Sequence, residues 1–420
     1  MKKAVGFFIT IVMVFVLCTG VVVAEGGKEA AAQPSEFKLG ILLPLTGTFA
    51  AVAETQKEGI LLAVDEVNNR GGLSMPWGKV KVVTQVSDDE AKLDVGVRRF
   101  KYLRNWGANG VVGQTWAPMT FAINEVVAKD PIPYYPVCVM AKEGFEKGKI
   151  AESTFATAFS PWTVGFLDGA AAINVLGKKK IFFLARSDSW GWGIWEGVQA
   201  AVEKFGGEIV GYDEMPLGTT DFTTVLQKVK AANPDVFIQA QFGGDAVAVL
   251  KQAYQMGLYD QMTIFNSWIT NVVAKGIPAN AVDGLYAMHY FYWNMEGFED
   301  KEVVEQAKAY TQNYRAKYGY PPDAYATIAY VAAHELFRAV ETAGSFDAVA
   351  VREAVFENPE FMSVKGPAKW REDHTPIYKY AGFLVKGKPK AEQTSEWDLF
   401  SIVGYQGGED VMPSLESLGY

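Results

Sequence analysis

The side chains able to do chemistry are few and scattered. His289, His334 and His374 share no metal-ligand spacing, and Cys18 and Cys138 are the only cysteines, so no conventional transition-metal site is expected. Gly191-Trp192-Gly193 begins like a dinucleotide fingerprint, but the next glycine, Gly197, comes one residue late. The indoles of Trp190, Trp192 and Trp195 also crowd a turn where a pyrophosphate needs close backbone approach. No Gly-Lys-Ser or Gly-Lys-Thr phosphate loop and no Gly-x-Ser-x-Gly elbow occurs. An enzyme, a resident cofactor and a metal centre are therefore not expected. What the chain does offer is aromatic surface at turns: Trp116, Trp190, Trp192, Phe242 and Trp268. Rings fill cores as readily as they line sites, but five on turns favour a lined pocket. Gln114, Thr115, Gln241, Asn266 and Ser267 sit beside them, with amides and hydroxyls that can orient a small molecule.

The elements that position these turns follow one order, written twice. Lys38 to Leu43 is a short apolar run, and Gly59 to Val67 carries apolar residues at helical spacing until Gly71-Gly72 stops it. Strands are predicted at Val80 to Val86, Asn109 to Gly113 and Ile132 to Val139, with helices through Arg104 and over Met119 to Ala128. The order then restarts with strand Lys180 to Ala185, helix Trp195 to Lys204 and Gly206-Gly207 in the place of Gly71-Gly72. Strands at Glu208 to Tyr212, Asp235 to Ala240 and Met262 to Phe265 complete the second copy, and Asp221 is expected to cap the helix running to Ala231. Such alternation predicts an α/β fold of two Rossmann-like lobes with parallel-rich sheets. Loops leaving the carboxyl ends of parallel strands gather at one edge, so two facing edges make a cleft. Those loops are Thr46 to Glu54, Gln114 to Pro118 and Val139 to Lys142 on one side. On the other they are Arg186 to Gly193, Gln241 to Asp245 and Asn266 to Thr270.

The chain has 420 residues, about half of them apolar, enough for a sizeable core. Lys2 and Lys3 precede an apolar run from Ala4 to Val16 that ends in small residues, which reads as a secretory signal over residues 1–24, cleaved after Ala24. Leu17 before Cys18 disfavours a lipid anchor, and Glu25 to Glu36, rich in Ala, Gly and Glu, reads as a tether. A periplasmic or extracytoplasmic location is expected. The formal net charge of −9, which deepens by two when the signal leaves, argues against a nucleic-acid partner.

Three stretches carry a family likeness: Leu43-Pro44-Leu45-Thr46-Gly47, Ala63-Val64-Asp65-Glu66-Val67-Asn68, and Gly218-Thr219-Thr220-Asp221-Phe222. In their order and spacing the chain resembles the periplasmic leucine/isoleucine/valine-binding proteins, of the type I periplasmic-binding fold. The resemblance implies two lobes joined by a three-strand hinge, closing around a small-molecule ligand, and a monomer that delivers it to the membrane permease of an ABC importer. A sensory receptor component with the same fold is the alternative. The crossings are expected near Ser160, Tyr292 and Val364, giving lobe 1 as residues 37–159 and 293–363 and lobe 2 as 160–292 and 364–420. The implied ligand loops are Gln114-Thr115-Trp116-Ala117-Pro118 and Pro136-Val137-Cys138-Val139-Met140. Ala117 stands where a carboxylate-binding serine is usual, Met140 replaces a threonine, and no acid adjoins Trp268 to meet an α-ammonium. Trp190 and Phe242 match aromatic positions of the family pattern. These departures point away from leucine and toward a ligand with a large apolar or aromatic part, or a quaternary ammonium.

Overall fold

Apolar runs from Glu36 onward pair as the first sheet, whose strand order is β2 (Leu73–Met75), β3 (Gly78–Asp88), β1 (Glu36–Leu43), β4 (Gly110–Gly113) and β5 (Tyr134–Tyr135). The computed structural model describes Met1 and residues 33–47, 49–138 and 140–420. The expected signal, most of the tether and Val139 lie outside the described residues. All the elements belong to the compact unit Ser35–Tyr420.

β1 runs parallel to both β3 and β4, with Ile41 opposite Val86 on one side and Val112 on the other. Helices cover both faces, so β1 is apolar along its whole inner length and Leu39, Ile41, Leu42 and Leu43 are fully buried. The expected strand Ile132 to Val139 pairs only at Tyr134–Tyr135, because Pro133 and Pro136 flank it and cannot donate to a ladder. The helices of this half are α1 (Ala50–Asn69), α2 (Leu93–Trp106) and α3 (Ala117–Val127).

The second sheet repeats the plan with β6 (Lys180–Arg186), β7 (Glu208–Met215), β8 (Val236–Gln239), β9 (Thr263–Asn266) and β10 (Tyr286–His289). Its parallel core runs β7-β6-β8-β9, the same second-first-third-fourth order as β3-β1-β4-β5. The accompanying helices are α4 (Pro161–Ala170), α5 (Ser189–Phe205), α6 (Thr223–Ala232), α7 (Gly244–Gln255) and the short α8 (Asn271–Ala274) and α9 (Ala279–Val282). Gly206 ends α5 at φ 78°, a conformation that costs glycine nothing. Asp221 accepts from the Thr223 N–H at 2.9 Å at the start of α6. α4 and α5 touch backbone to backbone: a Cβ on Gly165 would collide with the Ile194 carbonyl, and one on Gly197 with the Trp162 carbonyl.

After β10 the chain returns to the first sheet as α10 (Lys301–Tyr318), α11 (Ala324–Ala343) and α12 (Ala348–Glu357). α11 lies along α1, where Tyr330 donates to Glu66 at 2.6 Å and Arg70 pairs with Glu341 at 2.8 Å. Val364, where the third crossing is expected, lies in the turn between the first two strands of a small sheet. β11 (Glu360–Ser363), β12 (Gly366–Trp370) and β13 (Pro376–Tyr378) form a separate antiparallel sheet. It is held to α11 by the Trp370 indole donating to Glu335 at 2.9 Å, and His374 bonds the Thr154 carbonyl at 2.9 Å. Only with β14 (Gly382–Gly387), antiparallel to β10, and β15 (Phe400–Gln406) does the chain join the seven-stranded sheet.

Where the three crossings converge, fully buried Lys365 donates to the carbonyls of Ala381 (2.7 Å) and Tyr290 (3.2 Å). Its amino nitrogen lies 3.5 Å from the Tyr290 ring, 4.4 Å from Tyr378 and 5.2 Å from Phe159.

Candidate functional site

In both sheets the first and third strands are neighbours whose following loops diverge to opposite faces, leaving a crevice at their carboxyl ends. The two crevices face one another around a cavity of about 240 Å³. From the five-stranded side come Phe49 after β1, Thr115 to Pro118 after β4, and Cys138 after β5. Arg186, Asp188, Ser189 and Trp190 after β6, Leu217 after β7 and Phe242 after β8 close it from the other side, and Tyr325 at the start of α11 completes it. The lobes meet around it. Phe242 packs edge-on against Tyr325 at 5.9 Å, Lys142 pairs with Glu196 at 2.7 Å, and Tyr320 stacks on Trp397 at 5.3 Å.

Thr115, Trp116, Ala117, Cys138, Trp190 and Phe242, all named from sequence, thus border one cavity. Trp190 is fixed there by donating its indole N–H to the Ala240 carbonyl at 3.1 Å. The other expected residues are used differently. Gln114, at φ 91°, turns its N–H to the Leu42 carbonyl at 3.0 Å and is fully buried, so it braces the β4 loop from behind. Gln241 donates to the Ala185 carbonyl at 2.7 Å, and Asn266 accepts from Gln239, so both amides hold the strand ends together. Ser267 donates to buried Asp168. Trp268 is 3 % exposed and packs on Phe159 and Tyr290 at the crossings. Trp192 turns outward, 48 % exposed, and bonds Glu214 at 2.9 Å. Among the described residues no three His, Cys, Asp or Glu side chains group as a metal site.

Seven lining residues were not singled out from sequence: Phe49, Pro118, Arg186, Asp188 and Ser189, which fall in the expected cleft loops, and Leu217 and Tyr325, which fall outside them. Arg186 is the last residue of β6. Asp188 caps α5, its Oδ1 accepting from the N–H groups of Trp190 (3.1 Å) and Gly191 (3.2 Å). Its other oxygen accepts from Arg186 Nε at 2.6 Å.

α3 and α5 both begin on the cavity wall; α5 is capped by Asp188, while α3 has no side-chain cap and turns the N–H groups of Met119 and Thr120 to the Trp116 carbonyl at 3.0 and 3.1 Å. α11 also begins there, capped by Asp323, whose Oδ1 accepts from the Ala326 N–H at 2.8 Å. Burial pushes the Asp323 carboxyl up to about 6. A folded-state value raised above the unfolded one means that the folded protein holds the proton more tightly, so this group's contribution is present at low pH and is lost as pH rises through about 6. Asp323→Asn keeps the capping oxygen and removes the charge. We expect it to raise unfolding stability at pH 8 by up to about 3 kcal/mol and to add nothing below pH 4. Urea titrations at the two pH values measure this, and an equal change at both would contradict the assignment.

A family model described as "Periplasmic binding protein" matches residues 36–390. The Leu/Ile/Val-binding protein homolog 1 of Brucella abortus is 25 % identical over 364 residues, 87 % of this chain and 92 % of that protein. Among solved structures, an amino acid ABC transporter substrate-binding protein from Pseudomonas fluorescens superposes with a TM-score of 0.81 at 21 % identity, covering 93 % of this chain and 99 % of that one. An ABC transporter solute-binding protein from R. palustris, in complex with benzoate, gives 0.73 at 21 % identity over 89 % and 97 % of the two chains.

Proposed function

Since the chain belongs to the periplasmic binding protein family, which is extracytoplasmic and made of solute-binding proteins, we propose that it is the monomeric receptor of an ABC-type importer, without catalytic activity of its own. It captures a small organic solute between its lobes and presents the closed form to a membrane permease. The observation that carries this is the cavity itself, lined from both sheets by Trp116, Trp190, Phe242 and Tyr325 and bridged at its rim. A solute held by rings from both sides stabilises the closed arrangement by its differential affinity for it, and hinge rotation excludes water from the bound molecule. Residues 37–159 and 293–363 as one lobe, and 160–292 and 364–420 as the other, would move as the two bodies.

The expected result is compaction. Small-angle scattering of the purified protein, titrated with leucine, isoleucine, benzoate and other aromatic acids, should show a smaller radius of gyration at saturation with at least one of them. A bound solute that leaves the radius unchanged contradicts the closing mechanism.

A further inference from the structure

Resting on that reading of the cavity, we propose that the solute is a single-ring aromatic carboxylate carrying no ammonium group, with its carboxylate on Arg186. The charges of the cavity favour this first. Arg186 and Asp188 are the charged residues on its wall, and they are not equivalent. Asp188 already receives three hydrogen bonds, from two amides of α5 and from Arg186 Nε, which fix it as a cap and as a support. Arg186 gives only its Nε to that support. Its side chain is 10 % exposed, lies 6.0 Å from the Trp190 ring, and keeps two terminal NH₂ groups for which no described residue serves as an acceptor. A guanidinium oriented from behind by a carboxylate and open in front matches the two oxygens of another carboxylate.

The surroundings agree with an anion. α3 also begins on this wall, at Trp116 and Ala117, and the positive end of its dipole favours an anion over a cation there. An ammonium placed here would face this positive end and Arg186 together. Its nearest carboxylate, Asp188, is already engaged. This disfavours both a quaternary ammonium and an ordinary α-amino acid.

The shape sets the remainder of the molecule. Phe49, Trp116, Trp190, Phe242, Leu217 and Tyr325 supply an apolar wall. The volume of about 240 Å³ lies below the roughly 300–1,000 Å³ usual for sites that take drug-sized ligands, which favours a single ring over a larger skeleton.

Calorimetric titration of the full protein with benzoate, 3,4-dihydroxybenzoate, benzamide, phenylalanine and leucine tests this, with Arg186→Gln and Arg186→Lys compared after their melting curves are checked. The acids are expected to bind wild type at least 100-fold more tightly than benzamide, the neutral analogue of the same shape. Arg186→Gln should erase that preference while leaving benzamide affinity within a few fold, and Arg186→Lys should fall between. If leucine or phenylalanine binds more tightly than either acid, or if the acids bind equally well to Arg186→Gln, the carboxylate assignment is overturned and the receptor reading stands. If no organic solute compacts the protein in scattering, both fall.

Discussion

Replacing Gly197 by alanine is expected to destabilise the lobe built on the seven-stranded sheet by about 3 kcal/mol. Helix propensity alone predicts the opposite sign, since alanine in the middle of a helix is worth about 1 kcal/mol over glycine. Packing reverses it. Gly197 of α5 meets the Trp162 carbonyl and the Phe166 amide of α4, and Gly165 of α4 meets the Ile194 carbonyl of α5, so the new methyl group presses on backbone that cannot rotate away. Nor can α4 retreat, since every residue of it except Trp162 is buried. Urea unfolding followed by far-UV circular dichroism measures the change, and a stabilised Gly197→Ala would mean that the two helices slide apart at little cost.

Ala117→Trp is expected to weaken binding of every solute more than 100-fold while shifting the unfolding midpoint of the empty protein by less than about 1 kcal/mol. Ala117 is half-buried on the cavity wall at the first turn of α3, so a large ring has space to enter without disturbing the sheet beneath. That ring takes the volume a solute needs, about 240 Å³ in all. Calorimetry, which an added indole does not perturb, is the appropriate readout. Retained affinity would move the binding site elsewhere on the molecule.

The repeated βα order was legible because the central strands β4, β6 and β8 are apolar on both faces and each helix keeps its own period; β1 and β6 are found where the apolar runs place them. Strand order was not legible. It depends on pairing between segments far apart, and it decides which turns border the crevice. Trp116, Trp190 and Phe242 follow the third, first and third strands of their halves and do line the cavity. Trp268 follows a fourth strand and belongs to the packing at the crossings. An aromatic turn residue looks the same in either place. Arg186 was hidden for a related reason: a basic residue ending a strand is ordinarily a solvated charge, and only the fold shows Asp188 bracing it toward an enclosed space. The small sheet of β11 to β13 was hidden because its strands are three to five residues long and half exposed.

Lys365 bears on how such a receptor can change its diet. Its amino group is bonded to carbonyls near the second and third crossings and surrounded by rings from all three, and its burial pulls the amine's pKa well below the usual lysine range. These contacts include none of the residues bordering the cavity. Under the closing mechanism proposed above, substitutions at Trp116, Arg186 or Phe242 would retune what is captured without touching the contacts that hold Lys365.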